Sequence, residues 1–263
     1  QKRGDCLART DLCGTKFMSN PIKTRTLGKG KSVLHLPAVL AQLHRAMTVG
    51  EAETACLAPS RSQAWTQERA RDLIVGAGFE LTGSCNFSQG TAVVRIRRIQ
   101  SLPDSVGPRM QVLIVGLNPS PYSADSGIPY GRPGNRFWPA ALGAGLVSLD
   151  RDVDHALVSH KVGFTDLVRR TTRRADEVTA MEYRTGFERI YRLAEWLKPK
   201  ATCFVGLSAW RLVADKKAGP GWQEQSIGPS RVYVMPHTSG LNAHSRLEDL
   251  TKHLVRVKKF AGN

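Results

Sequence analysis

No stretch of this chain approaches the roughly 18 uninterrupted apolar residues that a membrane-spanning helix requires, and the opening QKRGDCLART lacks an apolar run of the signal-peptide kind. Membrane-embedded and secreted classes are not expected. Cysteines are few and scattered: Cys6, Cys13, Cys56, Cys85 and Cys203 are odd in number and form no C-x-x-C pair. That pattern suggests neither a disulfide framework nor a four-thiolate metal site, and predicts free thiols in a reducing compartment. No internal repeat is found. Acidic residues are the scarce charge. Against 38 Lys+Arg stand 22 Asp+Glu, a net charge of +16 over 263 residues. Such an excess points to a polyanion, with nucleic acid ahead of anionic lipid or of charge that serves solubility alone. The basicity is not confined to a tail, because residues 1–109 and 110–263 each carry +8.

Residues 1–32 are rich in Lys, Arg, Thr, Gly and Ser without apolar periodicity, and read as a disordered basic arm that either touches DNA or is idle. The sequence opens without Met, so a remnant of a transit or nuclear-import segment is also an open reading. Residues 33–105 read as an N-terminal extension. Helical spacing runs from Val33 to Met47, and a second helix is expected over Arg61–Val75, capped by Ser60 or Ser62 and stopped by Gly76 or Gly78. Phe79–Phe87 and Thr91–Ile99 then form a hairpin whose second arm alternates Val94 and Ile96 with Arg95 and Arg97; it is either a solvated edge strand or the wall of a nucleic-acid groove. Ser101–Arg109, with Pro103, Gly107 and Pro108, reads as the boundary to a domain spanning 106–263.

Beyond it, short apolar strands alternate with helices. QVLIV at 111–115, TCFV at 202–205 and RVYVM at 231–235 are near-continuous apolar runs, the mark of parallel strands covered on both faces. A helix is predicted over Val178–Leu197, preceded by Asp176, with Met181, Phe187, Ile190, Tyr191, Ala194 and Leu197 on one stripe. A last helix turns Leu247, Leu250, Leu254 and Val257 inward and leaves Lys252, Arg256, Lys258 and Lys259 outside. The fold class is therefore α/β. In such sheets ligands bind beyond the carboxyl ends of the strands, which directs attention to Gly116–Ser120 and Met235–Leu241. Neither loop holds a P-loop, a dinucleotide fingerprint or a nucleophile elbow, so phosphoryl transfer, dinucleotide redox and serine hydrolysis drop out.

GLNPSPYSADSGIPYGRPGNRFW, VGFTDLV, FVGLSAW and MPHTSGL, in that order over about residues 110–258, resemble the uracil-DNA glycosylase superfamily, most closely its mismatch-specific uracil/thymine branch. The resemblance implies a three-layer α/β/α fold with a short central parallel sheet. It implies a monofunctional enzyme of base excision repair, without cofactor or metal, that flips a uracil out of double-stranded DNA and hydrolyses its glycosidic bond. A monomer is expected. The compartment would be the nucleus of a eukaryote or the nucleoid-bearing cytoplasm of a bacterium, with organelle targeting left open. A second class, a catalytically silent binder of mismatched or abasic DNA, also fits the charge.

The resemblance assigns roles residue by residue. Asn118 stands where the uracil-specific members carry Asp and the mismatch branch carries Asn; an amide is no general base, and can only orient water. Tyr130 takes the position on which the base stacks, with Gly116, Leu117 and Ser120 around it. Ser120 replaces a Tyr that, in uracil-specific members, bars the methyl group of thymine. His237 departs from the mismatch branch, because the H-x-S-x-L of His237, Ser239 and Leu241 is similar to the uracil-specific one, whose His donates to the developing base anion. Gly240 and Leu241 match the wedge that fills the vacated stack. Ser123 is expected at a DNA phosphate, and either His244 or Arg246 takes the phosphate-side role. No Lys sits in the matched loops to form a Schiff base.

Overall fold

The chain enters its first sheet well inside the basic N-terminal stretch. The computed structural model describes residues 23–262 apart from Leu241 and Ala243, and Thr24–Leu27 is already a strand, β1. It pairs in parallel with β2, Ala52–Leu57, and Leu27 is buried in the local core. The arm expected over 1–32 is corrected accordingly: residues 23–32 are ordered, and 1–22 lie outside the described residues. Four cations and no acid in 23–32 had masked a strand held mainly by its partner.

A helix α1, Leu36–Ala46, follows a short 3-10 turn capped by Ser32. Helix α2 spans Gln67–Gly76 with Thr66 as its N-cap, so it starts later than the serines suggested. The side chain of Ser62 instead closes a local turn onto Ala64 N–H. Strands β3, Phe79–Leu81, and β4, Asn86–Ser88, both pair antiparallel with β5, Thr91–Arg98. Because β5 also pairs with β2, it lies inside the sheet and is not the edge expected; Arg97 is tied to Glu80 across to β3.

The segment 101–109 is no exposed linker. Asp104, 6% exposed, binds Arg169 at 2.9 Å and Arg189 at 2.8 Å, and Arg169 also donates to Gly76 O at 2.9 Å. Ser105 and Phe164 exchange backbone bonds at 2.9 and 2.8 Å. With Arg192 on Asp72 at 2.8 Å and the Arg69 guanidinium over Trp196 at 4.5 Å, charges paired out of water join the two units. Removing one member would strand its partner, at about 3 to 5 kcal/mol.

The second sheet has the order β7-β6-β8-β10-β9. Strands β6 (Val112–Gly116), β7 (Val162–Asp166) and β8 (Ala201–Val205) are buried at every position, as strands covered on both faces must be. These three and β10 (Ser230–Met235) are parallel, while β9 (Gly221–Ile227), an edge the pattern did not announce, is antiparallel. Alternate residues of β6 feed opposite cores: Val112 and Ile114 pack with Trp138, Leu250, Leu254 and Val257, and Leu113 and Val115 with Ile190, Leu193 and Trp210. One helix layer thus holds α4 (Phe137–Gly143) and α8 (Leu247–Gly262), the other α6 (Ala180–Leu197) and α7 (Leu207–Val213). The fold is the mixed α/β one expected. Thr179 and Glu182 form a capping box on α6, in place of Asp176. Met181 and Tyr191 are exposed, and Tyr183, Gly186 and Leu193 complete the buried stripe in their place; Leu247 is also on the outside. The short helices α3 (Pro121–Ser126) and α5 (Val153–His160) lie in the connections after β6 and before β7.

Candidate active site

The loops after β6, β7, β8 and β10 converge on a cavity of about 800 Å³ at the carboxyl edge of the parallel sheet. Asn118, Ser120, Tyr130, Asp166, His237 and Ser239 all border it. Two loops distant in sequence thus form one site.

Asn118 is oriented by its neighbours. Its Nδ2 donates to Arg170 O at 3.2 Å and to Thr172 Oγ1 at 2.8 Å, while the Thr172 hydroxyl donates its single proton to Arg174 O at 2.7 Å. Both partners can only accept from Asn118, which fixes the amide and leaves Oδ1 for another donor. That is what an amide needs in order to orient a water. The sequence offered no hint of Thr172.

Tyr130 adopts a left-handed backbone, φ +55°, uncommon outside glycine. Its ring stacks on Phe137, with centroids 4.3 Å apart at 19°. One face is therefore covered, and a flat ligand can meet only the other. The hydroxyl is buried without a partner, and burial, followed by the Asp166 charge, pushes its pKa well up. Gly116 permits this arrangement: a Cβ there would collide with Asp166 Oδ1 and stand 3.1 Å from the Tyr130 oxygen. Leu117 borders the cavity.

Ser120 and Ser123 serve the loop itself. Ser120 caps α3 through Ser123 N–H at 3.2 Å, and the two hydroxyls lie 3.2 Å apart. Ser123, expected at a phosphate, is buried at 3% exposure with its hydroxyl accepting from Gly131 N–H. Its hydrogen bonds are spent on the turn that carries Tyr130.

His237 stands at the rim. Partial desolvation first, then the charges of Arg136 and His244, hold its pKa below the ordinary value, so the imidazole is neutral at pH 7. The loop behind it is fastened by Arg136, whose Nη2 donates to Ser239 O at 2.9 Å and to Asn242 O at 2.7 Å, and whose Nη1 donates to Ser245 O. Asn242 returns a bond to His237 O at 2.8 Å. Gly240 packs against the turn at Gly134, where a Cβ would come within 2.7 Å of a carbonyl oxygen. Leu241, the expected wedge, lies outside the described residues. His244 and Arg246 are both exposed beside this loop. Arg132, Arg173 and Arg174, exposed cations at the cavity mouth, were missed in the sequence, although RRTTRR at 169–174 is a visible charge run.

Asp166, the last residue of β7, was also missed as a site residue. It is 8% exposed, and burial, ahead of the charges around it, raises its carboxyl to about 6. Among the described residues no group of three or more His, Cys, Asp or Glu could hold a metal ion.

This site combines a fixed amide, a half-covered aromatic ring and a neutral imidazole under a rim of arginines, all within residues 118–246. The family model of the uracil DNA glycosylase superfamily matches residues 103–259, which encloses every one of these groups, and the chain belongs to that superfamily.

Proposed function

We propose that this chain is a monofunctional DNA glycosylase that takes a uracil out of double-stranded DNA and hydrolyses its N-glycosidic bond, acting as a monomer. The observation that carries the reading is Asn118, whose amide nitrogen is occupied by Arg170 O and Thr172 Oγ1 so that Oδ1 is left for water. Bond cleavage puts positive charge on the sugar and negative charge on the base. The neutral His237 donates a hydrogen bond to the base oxygen as that charge develops, and Asn118 Oδ1 accepts from the attacking water. The free face of Tyr130 receives the base. Arg132, Arg173 and Arg246 are the cations available to phosphates around the mouth. No Lys lines the cavity among the described residues, which favours water over an amine nucleophile.

Substrate range follows from Ser120. A small residue tied back to Ser123 raises no ring against the C5 position. Rejection of a methyl group is then worth only about 1 to 3 kcal/mol. Uracil is the best ordinary base, and thymine is cut more slowly, chiefly opposite G, where the weaker pair opens more readily.

The test uses duplexes carrying one G:U, A:U or G:T pair, incubated with the full chain and then treated with alkali to break abasic sites. Strand breaks at G:U, with Asn118→Ala reducing the single-turnover rate by on the order of a hundredfold or more at nearly unchanged DNA binding, are the expected result. Binding to the mismatched duplex without breaks would identify a silent binder instead. Full activity in Asn118→Ala would remove the proposed role of the amide.

A further inference from the structure

Both groups that fix the Asn118 amide stand on the loop after β7, and the N-terminal unit grips that loop from its other side. Two consecutive carbonyls divide the work. Arg170 O accepts from Asn118 Nδ2 at 3.2 Å, and Arg169 O accepts from the Ser101 hydroxyl at 2.5 Å. The Arg169 side chain turns the same way as its carbonyl: its guanidinium donates to Gly76 O at the end of α2 at 2.9 Å, to Leu102 O, and to Asp104 Oδ1 at 2.9 Å. Gln100 adds a bridge, giving an amide proton to Asp125 of α3 at 2.8 Å and accepting from the Thr171 hydroxyl at 3.4 Å. One side chain of the N-terminal unit thus ties the connection after β6 to the loop after β7.

We infer that Ser101 and Arg169 are positioning residues for excision: they hold the 169–172 backbone where Arg170 O and Thr172 Oγ1 lock the Asn118 amide, so the N-terminal unit aims the attacking water without touching it. This rests on the glycosylase reading above. Ser101 is 0% exposed and Arg169 7%, so water cannot stand in for the bonds they make. Gly76, Gln100, Ser101 and Leu102 all precede residue 103, where the match to the superfamily begins. The clamp is therefore no part of the matched domain, and it gives residues 33–102 a share in the chemistry.

The physical reason lies in the amide torsion. Rotation of an Asn amide about χ2 is broad, so its partners and not its own rotamer set where Oδ1 points. A shift of the 169–172 backbone turns Oδ1 away from the water, and a misplacement of ~1 Å in a catalytic group costs about a hundredfold in rate. Without the Ser101 hydroxyl, Arg169 O is a buried acceptor with no donor, and the loop moves to satisfy it. The other ties of this loop are weaker: Thr172 N–H reaches Pro119 O at 3.4 Å, and Arg170 pairs with Glu182 on the exposed side.

The experiment is a double-mutant cycle on single-turnover excision at G:U by the full chain, run at a temperature where melts show every variant folded. Ser101→Ala should slow excision about tenfold and Arg169→Met about a hundredfold, with DNA affinity unchanged. Arg169→Met leaves Asp104 paired with Arg189, so no buried acid is stranded. In an Asn118→Ala background each substitution should change the rate by about twofold or less, because the group they aim is gone, whereas in a His237→Ala background the full factors should persist. Contacts that merely stiffened the fold would slow both backgrounds alike. A second readout needs no turnover: the side-chain amide of Asn118, identified in a proton–nitrogen correlation spectrum as the pair of signals lost in Asn118→Ala, should move in Ser101→Ala. Undiminished rates in both variants, equal slowing in the two backgrounds, or an unmoved Asn118 amide would overturn the inference and leave the glycosylase standing. Failure of the wild type to excise any base would overturn the glycosylase reading itself, and the amide signals would still decide the clamp. Where Arg169→Met does not fold, Ser101→Ala, which removes one hydroxyl, decides alone.

Discussion

A buried carboxyl burdens the fold that holds it, and at the residue scale Asp166 makes this measurable. Its folded value is raised from 3.8 to about 6, so the native chain holds the proton more tightly than the unfolded one. Below about 3.8 both states are protonated and there is no penalty; between 3.8 and 6 the penalty grows, and above 6 it is complete. Asp166→Asn keeps the shape and removes the charge. It should therefore raise stability at pH 7 to 8 by on the order of 1 to 3 kcal/mol, with the gain gone by pH 3.5. Thermal melts of both chains across that range check it, and an equal difference at every pH would mean that the carboxyl is not desolvated. The contrast with Asn118 shows what sequence can convey about single residues. Asn118, Tyr130 and His237 stand in loops whose Pro and Gly content signals a shaped backbone, and an ordered set of such loops is specific. Asp166, Thr172 and Arg136 carry no such mark, because they are held by partners 23 to 109 positions away, as in Arg189 to Asp166, Asn118 to Thr172 and Arg136 to Ser245.

At the scale of elements, β6 and β8 were legible because their positions are almost all apolar or small, whereas β7, equally buried but ending in Thr165 and Asp166, was not read as a strand. Strand β2 was not, although it alternates buried and half-buried positions regularly. Its inward residues include Glu53, 1% exposed and paired with Arg25 of β1 at 2.9 Å, so an ion pair stands where the pattern asks for an apolar side chain. The start of α2 was misplaced because Ser60 and Ser62 both suit a cap, and only the observed bond from Arg69 N–H to Thr66 Oγ1 at 3.1 Å chooses. The loop from His237 to Ser245 is braced from within by Asn242, which donates to His237 O and to Ser239 O, and from outside by one guanidinium, that of Arg136. Arg136→Ala removes the donor from three loop carbonyls, and Arg136→Lys offers a single point charge in place of a planar fork. Both variants should excise uracil about a hundredfold more slowly than wild type, the effect of displacing a catalytic group by ~1 Å. Binding to phosphate, supplied by other cations, should change little. Single-turnover rates beside binding isotherms separate the two, and undiminished rates in Arg136→Lys would show that the loop holds its shape unaided.

For the whole molecule the decisive fact is that the basic N-terminal stretch is two things. Residues 1–22 carry four cations and two acids, and residues 23–32 carry four cations and no acid, but the second group includes an edge strand with Leu27 in the core. Deleting 1–32 removes β1, uncovers the edge of β2 and opens the Arg25–Glu53 pair, leaving Glu53 buried and unpaired. That chain should melt lower and associate through the exposed edge, and because α2 and the segment at Asp104 hold α6 and Arg169, it should also lose excision activity. DNA affinity separates the electrostatic share. Each Lys or Arg that displaces a counterion contributes about 0.9 to the slope of log K against log salt. For the full chain the slope should be steep, and for the chain lacking 1–22 it should be shallower by at most about 3.6, the share of four cations. An unchanged slope would place all phosphate contacts on the rest of the chain, around Arg132, Arg173 and Arg246. A nearly flat slope in the full chain would mean that the charge of +16 serves solubility alone.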